Sequence, residues 1–298
     1  MPSLTTLVER HWGLSHVVSD ATLQQGQTRS VIAMRSDQGR FVAKMYQREW
    51  ALGLVNPSLA EIDQRLGIFD YLARIGVRQA PSILKTIAGD RFVRMGGMIV
   101  YVLERIEGTP PPPTPDTWAD LGRVAARLNA RTDYPHDYAI PVPGAIAELT
   151  AQAARYPFKQ EFLHLVSTLD VLQTQPRGLI HGELNLANSI RSPAGRLSVL
   201  DWDQAGTGPW ALEPGYPLIT TFLSEDLKFD ARSAAAFYSA WAGHRGIDAG
   251  RRDIIFTAAL LHALRYLRFG DPHRRWARIR YALAHKQEML LALDAGAW

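Results

Sequence analysis

Short apolar runs separated by turn-forming residues characterise the first third of the chain. Ser30–Met34 and Arg40–Tyr46 are rich in apolar or β-branched residues, and a Ser-Asp-Gln-Gly cluster lies between them at 36–39, which predicts a β-hairpin. Apolar residues then recur every three or four positions over Ser58–Ile75, which predicts a helix. Met98–Leu103 is apolar without alternation and predicts a buried strand.

The pattern changes at a run of prolines. Pro110–Pro113 are consecutive prolines, which neither a helix nor a central strand accommodates, so they predict a stiff extended connector. We place a lobe boundary just before this run, which divides the chain into 1–107 and 108–298. The second part has a mainly helical period, with helices expected from Trp118 onward and over 145–154, 158–173, 231–243, 252–269 and 273–293. Two short apolar runs, 178–180 and 197–200, predict strands within it.

The composition of the chain excludes several kinds of site and partner. The 298 residues include no cysteine, which excludes disulfides, cysteine nucleophiles and the zinc site of a deaminase. The net charge is +4, and the basic residues over 265–286 alternate with apolar ones at helical spacing, so we expect a solvated helix face and no nucleic-acid partner. Residues 1–20 lack a continuous apolar core and no apolar run is long enough to span a bilayer. We therefore expect a cytoplasmic protein without a membrane partner.

Two segments in the second part carry the chemistry. His181-Gly-Glu-Leu-Asn-Leu-Ala-Asn188 is followed by Val199-Leu-Asp-Trp-Asp203 after a short apolar run. Phosphoryl transfer needs a carboxylate near the acceptor hydroxyl, and oxygen ligands that hold Mg²⁺ on the nucleotide phosphates. Glu183 is the expected catalytic carboxylate, and Asn188 and Asp201 are the expected metal ligands. These three groups should converge within a few ångströms.

The same segments resemble the catalytic loop of the aminoglycoside phosphotransferase, choline kinase and homoserine kinase-like superfamily, usually His-Gly-Asp followed by Asn five residues after the Asp. The tail 203–209 is similar to that family, as is Gly76-Val77 with Pro81. The resemblance implies an α+β, protein-kinase-like fold with a small β-rich N-lobe and a larger helical C-lobe. It also implies ATP and Mg²⁺ as cofactors and a small hydroxylated molecule as acceptor.

Two residues depart from the family pattern. Glu183 and Glu213 occupy positions where the family usually has Asp. The extra methylene of Glu moves a carboxylate by about 1 Å, and a misplacement of that size lowers a catalytic rate by about a hundredfold. The alternative to an active kinase is therefore a nucleotide-binding pseudokinase.

The resemblance also indicates nucleotide-binding residues in the first part. Val-Ala-Lys44 resembles the kinase strand whose lysine holds the α- and β-phosphates. Its usual partner is a glutamate on the following helix, for which Glu61 is the candidate, although a surface pair of Glu61 with Arg65 fits the spacing equally well.

Two further positions are expected to contact the nucleotide. Gly26 and Thr28 lie in the loop 24–30, which should cover the phosphates through backbone N–H groups. Glu104 and Ile106 lie at the lobe connection, where backbone groups should read the adenine edge. An ordinary hairpin turn explains the 24–30 loop nearly as well.

The acceptor is expected among the C-terminal helices. Candidate lining residues are Asn185, Asp203, Glu213, Tyr216, Glu225 and Asp226, with the aromatic residues Trp210, Phe222, Tyr238 and Trp241, most of which fit a core position as well. The acidic groups suit an amine, whereas the basic run 265–280 suits an anion. The sequence leaves the acceptor and the oligomeric state open.

Overall fold

The computed structural model describes residues 3–25, 29–53, 55–243 and 249–293. The chain forms two compact units, Met1–Pro110 with Ser189–Gln204, and Pro111–Asn188 with Ala205–Trp298. A single division at residue 107 therefore does not describe the chain, since 189–204 returns to the first unit. The elements confirm an antiparallel-sheet N-lobe and a helical C-lobe.

The secondary-structure elements are numbered in chain order. The strands are β1 (Val18–Gln25), β2 (Arg29–Ser36), β3 (Gly39–Gln47), β4 (Ile83–Leu84), β5 (Val93–Met95), β6 (Met98–Glu104), β7 (Arg177–Ile180), β8 (Ser189–Arg191), β9 (Leu197–Val199) and β10 (Gly206–Pro209). The helices are α1 (Leu4–Trp12), α2 (Leu59–Arg74), α3 (Pro115–Asn129), α4 (Val142–Gln152), α5 (Lys159–Ser167), α6 (Leu212–Thr220), α7 (Ala231–Ala242), α8 (Ala249–Tyr266), α9 (Pro272–Ala284) and α10 (Lys286–Leu291).

An antiparallel sheet organises the first unit. Its strand order is β1-β2-β3-β6-β4, and β5 also pairs with β6. The predicted hairpin is β2 and β3, and the predicted buried strand is β6, so both predictions are confirmed. The predicted helix is α2, which begins after Ser58, where the side chains of Ser58 and Glu61 form a capping box.

One face of this sheet is covered by α1, which the sequence analysis did not predict. Leu7, Val8 and Trp12 of the helix pack in one cluster with buried residues of β2, β3 and β6, which include Phe41 and Ala43. Because side chains alternate along a strand, the neighbouring positions of β3 face the opposite side of the sheet. That opposite side carries Lys44.

The segment 189–204 contains a β-hairpin and belongs to the first unit. β8 and β9 pair in antiparallel fashion, and the N–H of Val199 donates to the carbonyl of Gln79 at 2.6 Å. Thr109 and Arg191 exchange backbone hydrogen bonds of 3.1 and 2.8 Å. Gly108 allows this approach, because a Cβ there would lie 2.3 Å from the carbonyl oxygen of Arg191.

The second unit is mainly helical, with β7 and β10 as an antiparallel pair. Two predicted helices are shorter than expected. The 158–173 segment changes from α5 to a 3₁₀ helix over Thr168–Thr174, and the 273–293 segment breaks at His285 between α9 and α10. Within the described ranges, no helix has the length and apolarity that crossing a bilayer requires.

Candidate active site

The strand register of the first unit places four polar side chains on one face of the sheet. Lys44 and Tyr46 are two residues apart on β3 and therefore point to the same side. Tyr101 of β6 lies opposite Lys44, and Arg29 of β2 lies opposite Tyr46. Directly opposed residues in antiparallel strands share a face, so all four belong to one surface.

Two aspartates from the segment after β9 meet this surface. Lys44 Nζ donates to Asp201 Oδ1 at 2.7 Å and to Asp203 Oδ2 at 2.8 Å. The hydroxyls of Tyr46 and Tyr101 donate to Asp203, the latter at 2.5 Å. Asp203 is thus held by three donors, and its residue is only 6% exposed.

The second oxygen of Asp201 has a cation of its own. Arg29 Nη1 lies 3.3 Å from Asp201 Oδ2, and its side chain is about one-third exposed. One arginine and one lysine therefore pair with two aspartates. The cluster formed by Arg29, Lys44, Asp201 and Asp203 thus contains equal numbers of basic and acidic side chains. We call it the sheet-face cluster.

The electrostatics of the sheet-face cluster follow from this pairing. Burial by itself disfavours an ionised carboxylate, but Lys44 and Arg29 outweigh it and hold the pKa of Asp201 well below its usual value. Burial raises the pKa of Asp203, and the neighbouring charge of Asp201 adds to it. The pKa of Lys44 is raised, because the attraction of Asp203 and Asp201 exceeds the burial penalty. Lys44 is therefore a cation at neutral pH.

Asp201 has an uncommon backbone conformation. Its φ is 63°, in the left-handed region that residues other than glycine rarely adopt. Asp is among the residues that tolerate this region best, and such conformations cluster at functional sites. The tight turn after β9 places the carboxylate of Asp201 against Lys44, and Trp202, which lies between the two aspartates, is fully buried.

The loop His181–Asn188, which was expected to carry the catalytic carboxylate, lies in the second unit and connects β7 to β8. Gly182 has a φ of 91°, and a Cβ on it would lie 2.4 Å from the hydroxyl oxygen of Tyr138. Only glycine fits here, both by conformation and by space. His181 is fully buried, and its Nδ1 accepts from the N–H of Glu183 at 3.2 Å. The histidine therefore shapes the loop.

Glu213 of α6 anchors the start of this loop. Its Oε2 accepts from the N–H of His181 at 2.7 Å and from the N–H of Gly182 at 2.9 Å. Its Oε1 is buried and has no hydrogen-bond partner among the described residues. Burial raises the pKa of Glu213 to about 7, although the two N–H groups favour the ionised form. Glu213, which was a candidate for lining the acceptor site, therefore binds the backbone at the start of the loop.

The end of the loop orients Asn188. Its side-chain Nδ2 donates to the carbonyl of Glu183 at 3.0 Å, and its backbone N–H donates to Asn185 Oδ1 at 2.9 Å. Since the amide nitrogen is bound to the loop, the amide oxygen is the atom that remains for a cation. The metal-ligand role of Asn188 stays a prediction.

A chain of hydrogen bonds leads from Glu183 to α6 and α8. Tyr266 of α8 donates to Glu183 Oε1 at 3.2 Å, and its hydroxyl lies 3.2 Å from that of Tyr216. Tyr216 in turn accepts from Asn185 Nδ2 at 3.0 Å. The carboxylate of Glu183 is therefore positioned by a tyrosine from outside the loop.

The structure does not bring Glu61 to Lys44. Glu61 Oε2 accepts from the N–H of Ser58 at 2.7 Å, so its carboxylate closes the start of α2. The helix start uses this glutamate, and Lys44 pairs with Asp201 and Asp203 instead. The pairing of Glu61 with Lys44 is therefore corrected.

The remaining nucleotide-contact predictions have different outcomes. Gly26 and Thr28 lie outside the described residues. Glu104 ends β6, and its N–H donates to the carbonyl of Ser82 at 2.9 Å, so this N–H is already used within the sheet region. Ile106 is half-buried two residues further on. Both stay predictions as contacts of the adenine.

The expected acceptor residues separate into distinct groups. Asp203 belongs to the sheet-face cluster of the first unit. Glu225 and Asp226 are exposed and pair with Arg274, at 2.8 and 3.9 Å. The four aromatic residues are buried in the core of the second unit, namely Trp210, Phe222, Tyr238 and Trp241.

Sequence reasoning missed four residues of these two sites, Arg29, Tyr46, Tyr101 and Tyr266. Arg29 is part of the loop 24–30 that was expected to cover the phosphates, and Tyr46 is two residues from Lys44, so alternation alone could have placed it on the lysine's face. Tyr101 and Tyr266 required the strand pairing and the packing of α8, which no local pattern encodes.

Asp201 belongs to the first unit, whereas Glu183 and Asn188 belong to the second. The convergence of these three groups at one point stays a prediction. Within each unit, however, the residues expected to act together are joined by hydrogen bonds.

A sequence profile of the Phosphotransferase enzyme family matches residues 21–249. No curated protein matches the sequence. An aminoglycoside phosphotransferase from Alicyclobacillus acidocaldarius is similar at 14% identity with a TM-score of 0.62, over 100% of this chain and 96% of that one.

Two further solved structures share the fold. A spectinomycin phosphotransferase in complex with ADP and spectinomycin matches at 14% identity and a TM-score of 0.60, over 98% of each chain. A choline kinase from Cryptosporidium parvum matches at 11% identity and a TM-score of 0.62, over 95% of this chain and 93% of that one. At these identities, the likeness is one of fold.

Proposed function

The chain belongs to the Phosphotransferase enzyme family, and from this premise we propose that it is an ATP-dependent kinase that phosphorylates a hydroxyl group of a small molecule. The observation that carries the proposal is the sheet-face cluster, in which buried Lys44 is bound to Asp201. Phosphoryl transfer requires positive charge on the phosphates beside a carboxylate that holds the metal ion. The cluster supplies both groups, with Lys44 Nζ 2.7 Å from Asp201 Oδ1.

The residues present fit a magnesium nucleotide. The described residues contain no group of three or more acidic, histidine or cysteine side chains that could hold a metal alone. Mg²⁺ is usually held by one or two protein oxygens together with substrate phosphates, so Asp201 and Asn188 are each a ligand of the expected kind. When bound, magnesium ATP supplies the transferable phosphoryl group. The related spectinomycin phosphotransferase holds ADP, which supports the choice of an adenine nucleotide.

Nucleotide binding requires an exchange of partners in the sheet-face cluster. Both oxygens of Asp201 contact cations, Lys44 and Arg29. Phosphate oxygens attract the same two cations, and their binding frees the aspartate to bind a metal ion. Arg29 is therefore proposed as a second phosphate-binding residue beside Lys44.

Glu183 is proposed to orient or deprotonate the acceptor hydroxyl. Its carboxylate is half-buried, and Tyr266 fixes one of its oxygens. A carboxylate within hydrogen-bond reach of the hydroxyl can accept its proton as the bond to phosphorus forms. The longer side chain of Glu, relative to the usual Asp, is thus matched by a hydrogen-bond donor from α8.

The alternative is a pseudokinase that binds nucleotide without turnover, which Glu183 in place of Asp favours. Glu183→Asp separates the two. An active native enzyme should lose rate on this change, since the shortened side chain moves away from Tyr266. A gain in rate would identify a detuned kinase, and the absence of turnover in both forms would support the pseudokinase.

The direct test is ADP release by the purified protein with magnesium ATP and a panel of aminoglycosides, choline, homoserine, sugars and nucleosides. Acceptor-dependent ADP release that Asp201→Asn abolishes is the expected result. Asp20→Asn is the matched control, because Asp20 pairs with Arg35 outside the sheet-face cluster. Full turnover by Asp201→Asn would refute the proposed role of this aspartate.

A further inference from the structure

A cavity in the second unit lies beside the paired strands β7 and β10. It encloses about 140 Å³, and most of its lining comes from these strands and from the segment 137–143, which leads into α4. An apolar cavity of about 150 Å³ can hold a molecule of the size of benzene. The space is therefore sufficient for a small apolar group.

One part of the lining, the apolar wall, has few hydrogen-bond donors. It consists of Ile140, Val142 and the prolines Pro141, Pro143 and Pro209. Because proline has no backbone N–H, the three prolines offer no main-chain donor. The apolar wall therefore suits an aliphatic group and gives a polar group little to bind.

Two opposite charges, Asp137 and Arg177, also line the cavity. Arg177 Nη2 donates to Asp137 Oδ1 and to the carbonyl oxygen of Thr207, the latter at 2.7 Å. The side chain of Asp137 is 75% exposed and that of Arg177 is 51% exposed, so the pair lies at the open side of the cavity. In the part of the chain that the structure describes, no hydrogen bond engages Asp137 Oδ2 or Arg177 Nη1 and Nε. Asp137 thus keeps an acceptor for a ligand, and Arg177 keeps donors.

The charges of this pair select the kind of ligand. A lone anion at Arg177 also meets Asp137, and a lone cation at Asp137 also meets Arg177, so neither gains much net attraction. A molecule with both charges gains at both groups when its carboxylate faces Arg177 and its ammonium group faces Asp137. Because the two side chains are in direct contact, the two charges of the ligand must be adjacent as well, as they are in an α-amino acid. An exposed ion pair contributes only about 1 kcal/mol or less, so this exchange of partners costs little.

The cavity is separate from the loop 181–188. Arg177 begins β7, and the loop follows Ile180 at the other end of this strand, about 10 Å away. Glu183 does not line the cavity. Tyr138 does, and its hydroxyl packs against Gly182. An occupant of the cavity therefore contacts a residue that packs on the loop, without contacting Glu183.

We propose that this cavity binds a small aliphatic α-amino acid, whose side chain packs on the apolar wall while its carboxylate binds Arg177 and its ammonium group binds Asp137. The branched side chains of valine, leucine and isoleucine are smaller than benzene and fit the enclosed volume. This site is additional to the nucleotide and acceptor sites, and it does not depend on the proposed kinase function.

Isothermal titration calorimetry with the intact protein tests the proposal. L-valine, L-leucine and L-isoleucine are compared with glycine, which lacks the side chain, and with two analogues of leucine that each lack one charge, isocaproate and isopentylamine. At least one of the branched amino acids should bind about tenfold more tightly than each of these three probes. γ-Aminobutyrate, whose charges are not adjacent, should bind no more tightly than glycine.

Three variants test the two charges and the enclosed volume. Asp137→Asn should remove the preference for leucine over isocaproate, and Arg177→Gln should remove the preference over isopentylamine. Ile140→Trp places a larger side chain in the cavity and should abolish the binding of leucine. Asp120→Asn is the matched control, since Asp120 forms a partly exposed pair with Arg123 outside the cavity and should leave the affinity within about twofold. Melting curves show whether each variant is folded, and the exposed Asp137 decides the matter if Arg177→Gln is not.

The proposal is wrong if the branched amino acids bind no more tightly than glycine, or if either Asp137→Asn or Ile140→Trp leaves the affinity for leucine unchanged. It is also wrong if Glu183→Gln removes the binding, because the amino acid then occupies the acceptor site. None of these measurements uses ADP release, so a failure of this proposal is distinct from a failure of the proposed kinase function.

Discussion

The hydroxyl of Tyr266 donates a hydrogen bond to Oε1 of Glu183 over 3.2 Å. The two residues are separated by 82 intervening positions, and one lies on the loop 181–188 while the other lies at the end of α8. Tyr266 also lies within 3.2 Å of the hydroxyl of Tyr216. The carboxylate of Glu183 is therefore positioned by a hydrogen bond from a residue outside its own loop.

Tyr266→Phe should lower kcat by about tenfold, because a carboxylate that loses a positioning hydrogen bond spends less time in its reactive orientation. The KM for ATP should stay unchanged, since Tyr266 belongs to the second unit and does not contact the sheet-face cluster. Steady-state kinetics with an acceptor from the panel would measure both. Tyr216→Phe, one step further along the chain of hydroxyls, should have a smaller effect; equal rates for all three proteins would contradict the positioning role.

Arg29→Gln should raise the KM for ATP by about tenfold, the typical effect of losing one charged phosphate contact. The fold should persist, because the Arg29 side chain is about one-third exposed. Arg35→Gln is the matched control, since Arg35 lies on the same strand and pairs with Asp20. Equal KM values for the two variants would show that Arg29 does not bind phosphate.

Asp203→Asn should destabilise the protein by about 3 kcal/mol, since it leaves the buried Lys44 with one carboxylate fewer and disturbs two tyrosine hydroxyls. Urea denaturation would measure the change in the free energy of unfolding. Asp20→Asn removes an ion pair that is more exposed and should have an effect below about 1 kcal/mol. A change in acceptor KM with no loss of stability would instead support a place for Asp203 in the acceptor site.

Glu213 predicts a pH-dependent contribution to stability. Its pKa is about 7 in the folded protein and 4.5 in the unfolded chain, so the folded state holds the proton more tightly. Stability from this group is therefore complete below pH 4.5 and falls by about 3 kcal/mol as the pH rises to about 7. Glu213→Gln should remove this fall, because the amide keeps the acceptor oxygen and does not ionise.

The comparison of the two proteins is needed because His262 acts in the opposite direction. Burial lowers the pKa of His262 to about 3, so its contribution to stability rises with pH up to about 6.5. Melting temperatures of native and Glu213→Gln protein from pH 4 to 8 would give the difference due to Glu213 alone. Parallel curves would show that folding does not raise the pKa of Glu213.

The sequence by itself determined the elements whose signals are local. The turn at 36–39 and its flanking apolar runs predicted the β2–β3 hairpin, and the spacing of apolar residues over Ser58–Ile75 predicted α2. The His-Gly-Glu loop and the following Asp-Trp-Asp indicated the family. Each of these signals lies within a few consecutive residues, where backbone preference and side-chain period are encoded directly.

Only the tertiary structure decided which side chains meet. The partners of Lys44 are Asp201 and Asp203, more than 150 positions away, and the glutamate nearest in the sequence pattern serves to cap a helix. Strand register placed Tyr101 opposite Lys44, and helix packing brought Tyr266 to Glu183. Such contacts depend on how strands and helices pack over long separations, and the spacing of residues along the chain carries no record of that packing.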